Sequence, residues 1–410
     1  MPLVPVDEKG TVLYYEDSGA PANRNNVYTT VIIVHGTNWN GGVFRKVLPL
    51  GSEHNLRVIT VNQRDYTAST PPSASELAQL TSQSPRERLQ YLKDRAKEIA
   101  KFVLWIITNE NLPPPDANHS GGGRAEGGVS LVAWSSGNHL LLPFLALGGD
   151  FLSPQEQSLM GKYLRSYVMF DSPPDTSGIS PPILGDPNTT PANNYTVLED
   201  PEVAKAYGAL ASSYFTHSPT VLGALQTIST SSHPFDNPVS VTDADILKGL
   251  AVVPDTSLPP SITGMPEGMA EPVESLTRSQ IPVVLIGEGI YTYTRQRALF
   301  GDANTAGLDI GEDVGGNGLW LPHVKMEIVS CGRGSAICVW NVWKLYGLIR
   351  DRVVGSASQG SANSGGGQST GTATSSAIVR PVHFHLWKDF NHFPHWDHPQ
   401  EFIKSLVEIV

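Results

Sequence analysis

Short, almost wholly apolar runs alternate with polar turns along the first half of the chain. The clearest runs lie at 28–36, 55–62, 128–134 and 163–170. A strand that is buried on both faces of a parallel sheet has this pattern. Similar runs predict further strands at 11–19, 281–289, 324–332 and 379–387.

Helical patterns separate these strands. The best defined helix begins with Ser84, Pro85 and Glu87, which supply an N-cap, a first-turn proline and a capping box, and apolar residues then recur at helical spacing. Strands that alternate with helices predict an α/β fold with a mainly parallel sheet, whose functional residues lie at the carboxyl ends of the strands.

The alternation stops after Asp171. Residues 175–280 are rich in proline, serine and threonine, and we interpret them as an insertion that covers the sheet. Residues 355–376 consist mainly of glycine and serine, a composition typical of a flexible loop. We therefore predict a core formed by 1–174 and 281–410, with 175–280 as a lid.

Composition excludes several classes of protein. The net charge of -11 and the absence of a basic run argue against nucleic-acid binding. Two cysteines in 410 residues, Cys331 and Cys338, form no disulfide framework. The N-terminus lacks a secretory signal and no apolar run is long enough to span a membrane, so we predict a cytoplasmic location and no membrane span.

The stretch Ala133-Trp134-Ser135-Ser136-Gly137 follows the strand at 128–134 and precedes a helical pattern. It fits G-x-S-x-G with alanine at the first position, a turn that lifts the serine out of the sheet. A frame centred on Ser136 would place Asn138 at the second glycine, so Ser135 is the better candidate nucleophile. The alternative is an ordinary serine turn.

Two groups of backbone N–H are candidates for an oxyanion hole. The N–H of Ser136 follows the candidate nucleophile, and Thr37 or Asn38 supplies the second donor from the turn that ends the strand at 28–36. An ordinary strand-to-loop turn with a flexible glycine is the alternative interpretation of His35-Gly36-Thr37-Asn38.

The C-terminal region contains five histidines, at 383, 385, 392, 395 and 398. His383 and His385 alternate on one face of a strand, as in some metal sites, but no Asp, Glu or Cys at a known ligand spacing accompanies them. His392 lies between the last strand and the last helix, where a general base for Ser135 is needed. We predict no metal and no cofactor.

These motifs resemble those of α/β-hydrolases, through His35-Gly36, the "AWSSG" turn and the terminus "NHFPHWDHPQEF". The resemblance covers roughly 27–175 and 280–410. A fungal-type branch of this superfamily is also similar, through "FDSPPDTSGISPP" and "SSYFTHSP". The resemblance implies an eight-stranded, mostly parallel sheet flanked by helices, with a lid insertion, and a catalytic triad that includes Ser135 and His392.

The acid of such a triad usually follows the seventh strand in this superfamily. If that strand is 324–331, the next residues run from Cys331 to Gly334 without a carboxylate; if it is 281–287, Glu288 follows directly. A minority arrangement uses an acid after the sixth strand, which is Asp171 here. We predict Asp171, with Glu288 as the alternative acid and a turn-capping aspartate as the alternative role of Asp171.

The resulting hypothesis is a serine hydrolase of a small, apolar carboxylic ester or lactone, which acts through an acyl-enzyme. The alternative is a weakened or non-catalytic relative that binds a ligand. A carbon–carbon lyase is a further alternative, although Phe393 occupies the position after the histidine where such lyases carry lysine. Epoxide hydrolases and dehalogenases are disfavoured because their nucleophile is aspartate. The sequence does not predict the oligomeric state.

Overall fold

The computed structural model describes most of the chain. The described residues are 2–22, 27–115, 126–184, 201–231, 234–235, 239–266, 268–270, 281–302, 308–310, 318–362 and 379–410. No helix within these ranges is long and apolar enough to cross a lipid bilayer.

Eight strands in the described residues form one sheet, in the order β1-β2-β4-β3-β5-β6-β7-β8. The strands are β1 (Leu3–Pro5), β2 (Val12–Asp17), β3 (Thr29–Val34), β4 (Leu56–Val61), β5 (Val129–Trp134), β6 (Leu164–Phe170), β7 (Lys325–Cys331) and β8 (Val382–Trp387). The pairs β1–β2 and β2–β4 are antiparallel and the other neighbours are parallel. This is the mostly parallel, eight-stranded sheet that the resemblance to α/β-hydrolases implies.

The sheet separates two apolar layers. Along β3, Ile32 and Val34 pack into the layer formed with the long helices, whereas Val31 and Ile33 pack into the layer formed with the C-terminal helix. Successive side chains of a strand point to opposite faces, so a strand covered on both sides must be apolar throughout. All six residues of β3 are buried accordingly.

Helices cover both faces of the sheet and connect its parallel strands. They are α1 (Ala74–Leu80), α2 (Pro85–Asn109), α3 (Asn138–Phe151), α4 (Pro154–Tyr163), α5 (Pro201–Ala211), α6 (Pro219–Thr230), α7 (Asp243–Gly249), α8 (Ile281–Ile286), α9 (Glu288–Phe300), α10 (Ala336–Ala362), α11 (Pro394–Asp397) and α12 (Pro399–Val407). The helix predicted from Ser84 is α2, with Ser84 as its N-cap residue and Pro85 in its first turn. The predicted capping box is wrong, because the Ser84 side chain makes no capping hydrogen bond and the Ser84 N–H donates to Ser82 Oγ over 3.0 Å.

The predicted strand at 281–289 is wrong. These residues form α8 and the start of α9, separated by Gly287 with φ +89°. Val283 and Ile286 are buried while Val284 is 45% exposed, as one face of a helix requires. A short apolar run has the same composition in a buried helix and in a strand, so the pattern alone could not separate them. The eighth strand is β1 instead.

The segment 355–376, predicted to be a flexible loop, overlaps the end of α10, which continues to Ala362. Residues 363–376 lie outside the described residues. The described part of the predicted lid contains α5, α6 and α7, and α6 packs against the edge strand β8, whose Leu386 N–H donates to Ser229 Oγ over 3.0 Å.

Candidate active site

Ser135 lies in the sharp turn between β5 and α3. The turn is a single 3-10 segment, Ser135–Gly137, and Ser135 has φ +55°. This left-handed conformation is unfavourable for a residue with a side chain and is often found at functional sites. Ser135 is also partly exposed, whereas the β5 residues before it are buried.

Two glycines make room for this turn. A Cβ atom at Gly36 would lie 2.8 Å from Ser135 Cβ, and one at Gly137 would lie 2.7 Å from the carbonyl oxygens of Val34 and His35. The turn after β5 and the end of β3 therefore lie so close together that a residue larger than glycine at position 36 or 137 would clash.

Asn138 supports the same turn and was not singled out from the sequence as a functional residue. Its Nδ2 donates to Ser135 O over 2.6 Å and to Ala133 O over 3.0 Å, and its Oδ1 accepts from Tyr167 OH. An asparagine at the start of a helix is a common cap, so no signal in the sequence distinguishes this role.

His392 lies in the loop between β8 and α11. Its Nδ1 donates to Asp171 Oδ2 over 2.6 Å, and its carbonyl oxygen accepts from Trp134 Nε1 over 2.9 Å. A carboxylate only accepts hydrogen bonds, so Nδ1 is the donor in this contact, and in the neutral ring Nε2 then keeps a free lone pair. That is the tautomer of a general base. The Ser135 side chain makes no hydrogen bond with His392 or another described residue.

Asp171 directly follows β6 and is fully buried, with φ +45°. While Oδ2 accepts from His392, Oδ1 accepts from the N–H of Cys331 over 3.0 Å. A Cβ atom at Gly334 would lie 2.9 Å from Asp171 Oδ2. The turn after β7 thus packs on the Asp171 carboxylate, which explains why position 334 is glycine.

Glu288, the alternative acid, lies elsewhere. It is the first residue of α9, and its Oε2 accepts from Ser180 Oγ over 2.9 Å. The prediction of Glu288 depended on a strand at 281–287, which the structure replaces with α8.

The candidate oxyanion donors of the β3 turn are engaged within the protein. Thr37 N–H donates to Ser136 Oγ over 2.6 Å, and the two hydroxyls of Thr37 and Ser136 lie 2.5 Å apart. Asn38 N–H donates to Tyr66 OH over 3.2 Å. The Ser136 side chain therefore fixes the turn at Thr37 against the turn at Ser135.

His383 and His385 contact a carboxylate that sequence analysis missed. Glu327 on β7 accepts from His385 Nε2 over 2.7 Å and from His383 Nδ1 over 3.2 Å, and Lys325 Nζ lies 2.9 Å from it. Glu327 pairs with His383 in the sheet register, although 56 positions separate them along the chain. No short spacing indicates such a contact.

His395 and His398 have other surroundings. His395 is fully buried among aromatic rings, with its ring 4.1 Å from that of Phe44, and burial holds its pKa well below the usual value. His398 lies beside Phe390 and Tyr214. His392 is thus the C-terminal histidine that contacts Asp171.

The described part of the insertion is hydrogen-bonded to the histidine loop. Asp397 Oδ2 accepts from Tyr214 OH over 2.7 Å and from Ser261 Oγ over 2.5 Å. Asn391, next to His392, donates to Ser261 Oγ over 2.8 Å. On the other side, Asn40 donates to the carbonyl oxygen of Gly268 over 3.0 Å.

A mostly parallel eight-stranded sheet with helices on both faces, and a serine turn after β5, defines the α/β-hydrolase fold, so the predicted fold class is confirmed. No protein-family model matches the sequence, and no curated protein matches it.

Solved structures similar to this chain include three with related architecture. A bromoperoxidase from Bacillus anthracis has a TM-score of 0.43 at 10% identity, over 99% of this chain and 98% of that chain. Est816, an N-acyl homoserine lactone degrading enzyme, has a TM-score of 0.41 at 12% identity, over 100% of both chains. An esterase from Exiguobacterium antarcticum has a TM-score of 0.40 at 14% identity, over 98% of this chain and 96% of that chain. Since these scores are below 0.5, the fold assignment depends on the strand order and packing of this chain. The fungal-type branch stays a prediction.

Proposed function

We propose that this protein is a serine hydrolase that cleaves a small, apolar carboxylic ester or lactone through an acyl-enzyme. The observation that carries the proposal is the 2.6 Å hydrogen bond from His392 Nδ1 to Asp171 Oδ2, at the sheet edge where Ser135 leaves β5. Ser135 is the nucleophile, His392 the base and Asp171 the acid of this proposal.

In the first half of the reaction, Ser135 Oγ attacks the carbonyl carbon while His392 Nε2 takes the hydroxyl proton. The carbonyl oxygen becomes negative and accepts from backbone N–H groups, for which Ser136 and the Thr37–Asn38 turn are the candidates. The tetrahedral intermediate then collapses, and the leaving alcohol receives the proton from His392. Asp171 keeps the ring oriented and stabilises its positive charge.

In the second half, water attacks the acyl-enzyme and gives its proton to His392. The carboxylic acid leaves, and Ser135 regains a proton. No group other than water is consumed in these steps.

The apolar substrate is supported by the contacts of the insertion beside the Thr37–Asn38 turn. Trp39 pairs with Ala270 through a β-bridge, and Trp39 and Met269 are buried in one apolar layer with Phe393. Insertion residues therefore adjoin both the turn with the candidate oxyanion donors and the loop with His392. A cover of this kind excludes water from a reacting ester.

A second candidate is a protein that binds a ligand without turnover. Two observations favour it: Ser135 has no hydrogen bond to His392, and the N–H groups of Thr37 and Asn38 donate to hydroxyls of the protein. Catalytic contacts are often long without substrate and shorten only in the complex, so these observations do not outweigh the His392–Asp171 contact.

The test is turnover of nitrophenyl esters of increasing chain length, together with labelling by a fluorophosphonate probe. We expect the parent to hydrolyse at least one ester and to be labelled at Ser135, and Ser135→Ala to lose both. Ser158→Ala, at an exposed serine of α4, is the matched control and should behave as the parent. Unchanged turnover in Ser135→Ala contradicts the proposal, and a folded parent without turnover or labelling favours the binding protein.

A further inference from the structure

Cys338 places a thiol beside the His392–Asp171 pair, although the proposed reaction does not use it. The residue lies in the first turn of α10, is 2% exposed, and accepts a hydrogen bond from Ser335 Oγ over 3.3 Å. One ligand atom each from Asp171, Cys338 and His392 lies within 4.8 Å of the other two. All three residues are buried, so the group is part of the packed interior.

The three side chains are the ligand types that Zn²⁺ prefers. Thiolate sulfur, imidazole nitrogen and carboxylate oxygen bind Zn²⁺ at about 2.0–2.3 Å in tetrahedral sites, so donors already within 4.8 Å reach one ion through small side-chain movements. The charges also agree, because a carboxylate and a thiolate neutralise a divalent cation, and a buried charge requires such compensation.

Without an ion the thiol is neutral. Burial, and next the charge of Asp171, raise the pKa of Cys338 well above its ordinary value. Binding of the ion releases the Cys338 proton to solvent, while His392 binds in its neutral form. No electron is transferred and no covalent bond to substrate forms.

We propose that Asp171, Cys338 and His392 form an inhibitory site for a thiophilic divalent cation such as Zn²⁺. The inhibitory effect of the cation rests on the proposed hydrolase function, whereas binding of the cation does not. If the ion binds Nδ1 of His392, it replaces the proton shared with Asp171 and removes the orientation of the ring. If it binds Nε2, it occupies the lone pair that would accept the Ser135 proton. Either geometry stops the reaction.

The chain contains a matched control. Cys331 is also fully buried, and its backbone N–H donates to Asp171 Oδ1, but its thiol does not belong to the group of three ligand atoms. Cys331→Ser therefore changes a buried thiol in the same region without removing a ligand. Mg²⁺ is the matched control ion, because it prefers oxygen ligands and binds thiolate poorly.

The direct test is titration of the full chain with Co²⁺, whose bond to a thiolate gives a charge-transfer absorption band. We expect the parent and Cys331→Ser to show the band, and Zn²⁺ but not Mg²⁺ to abolish it. Cys338→Ser and Cys338→Ala should lose the band and bind Zn²⁺ at least about 10–100-fold more weakly, the loss that already follows when a residue that only orients a ligand is changed. Circular dichroism melts establish that each variant is folded.

The second readout is activity. Zn²⁺ should inhibit ester turnover and fluorophosphonate labelling of the parent and of Cys331→Ser at concentrations that leave folded Cys338→Ser active. A parent without the Co²⁺ band, or Cys338 variants that bind Zn²⁺ as tightly as the parent, would overturn the inference. If the parent has no ester turnover, the proposed function fails, but the Co²⁺ titration still decides the metal site.

Discussion

His392 Nδ1 and Asp171 Oδ2 lie 2.6 Å apart, although 221 positions separate the two residues along the chain. The contact forms because β6 and β7 are neighbours and β7 pairs with β8, so that Asp171 and the loop after β8 reach the same edge of the sheet. The Cys331 N–H holds the other carboxylate oxygen. Asp171 is thereby fixed from two strands.

We predict that Asp171→Asn lowers kcat for a cleaved ester by about 10²–10⁴-fold. Asparagine keeps the shape but no longer supplies the negative charge that holds the proton on Nδ1 of His392. Glu288→Gln is the control, since Glu288 contacts Ser180 instead, and it should keep parental kcat. Steady-state kinetics of both variants measure the difference, and a larger loss in Glu288→Gln would exclude Asp171 as the acid.

We predict that Ser136→Ala lowers the free energy of unfolding but leaves the reactivity of Ser135 nearly unchanged. The change removes the hydroxyl that accepts from the buried Thr37 N–H, and an unsatisfied buried donor costs about 1–3 kcal/mol in the free energy of unfolding. The backbone N–H of residue 136 is retained, and the Thr37 N–H becomes available to an oxyanion. Labelling of Ser135 by the probe should therefore stay within about tenfold of the parent.

Urea denaturation and labelling rates test these two expectations together. A Ser136→Ala protein that is as stable as the parent, or one that the probe no longer labels at Ser135, would contradict these expectations.

We predict that Gly36→Ala reduces probe labelling of Ser135 by about 100-fold or more, because displacement of a reacting atom by about 1 Å has such an effect. The new Cβ would lie 2.8 Å from Ser135 Cβ, so the serine must move. Gly347→Ala in α10 is the control: nothing lies within 4 Å of its Cβ, and alanine stabilises a helix by about 0.5–1 kcal/mol. Equal labelling rates in both variants would contradict the conclusion that a side chain at position 36 displaces Ser135.

The sheet could be predicted from the sequence because its strands are buried on both faces. The run at 29–34 is wholly apolar except for two threonines, and all six of its residues are β-branched, which favours a strand. The run at 281–286 has a similar composition, but it packs with one exposed face at Val284, and composition does not report which neighbours a segment meets.

The candidate site could be predicted only where the signal is local. The turn at Ser135 can be recognised because its pattern lies within five consecutive residues, Ala133 to Gly137. The contact of His392 with Asp171, by contrast, follows from the order of the strands in the sheet. The choice between Asp171 and Glu288 depended on whether 281–289 is a strand. The engagement of the Thr37 N–H by Ser136 depends on the approach of two turns that are 99 positions apart, which no pattern contains.

Glu327 is the centre of a further cluster at the β7–β8 pair, next to the loop with His392. Burial opposes its charged form, but the hydrogen bonds from His383, His385 and Lys325 outweigh burial and hold the pKa of Glu327 well below its usual value. The hydrogen bond to Glu327 likewise raises the pKa of His383, against a smaller effect of burial.

We predict that Glu327→Gln lowers the free energy of unfolding by about 1–3 kcal/mol near pH 6. A carboxylate with a lowered pKa stabilises the folded protein above its unfolded pKa of about 4.3, and this contribution is lost as the pH falls through the folded pKa. A histidine with a raised pKa stabilises the folded protein below its unfolded pKa of about 6.5, and this contribution is lost as the pH rises through the folded pKa. The difference between parent and Glu327→Gln should therefore be largest between about pH 4.3 and 6.5, and should shrink on both sides.

Denaturant unfolding at a series of pH values measures this difference. Glu401→Gln, at an exposed glutamate of α12, is the control and should follow the parent within about 0.5 kcal/mol at every pH. A difference that is independent of pH would mean that Glu327 contributes by packing alone, since only ionisation of Glu327 and His383 makes the contribution depend on pH.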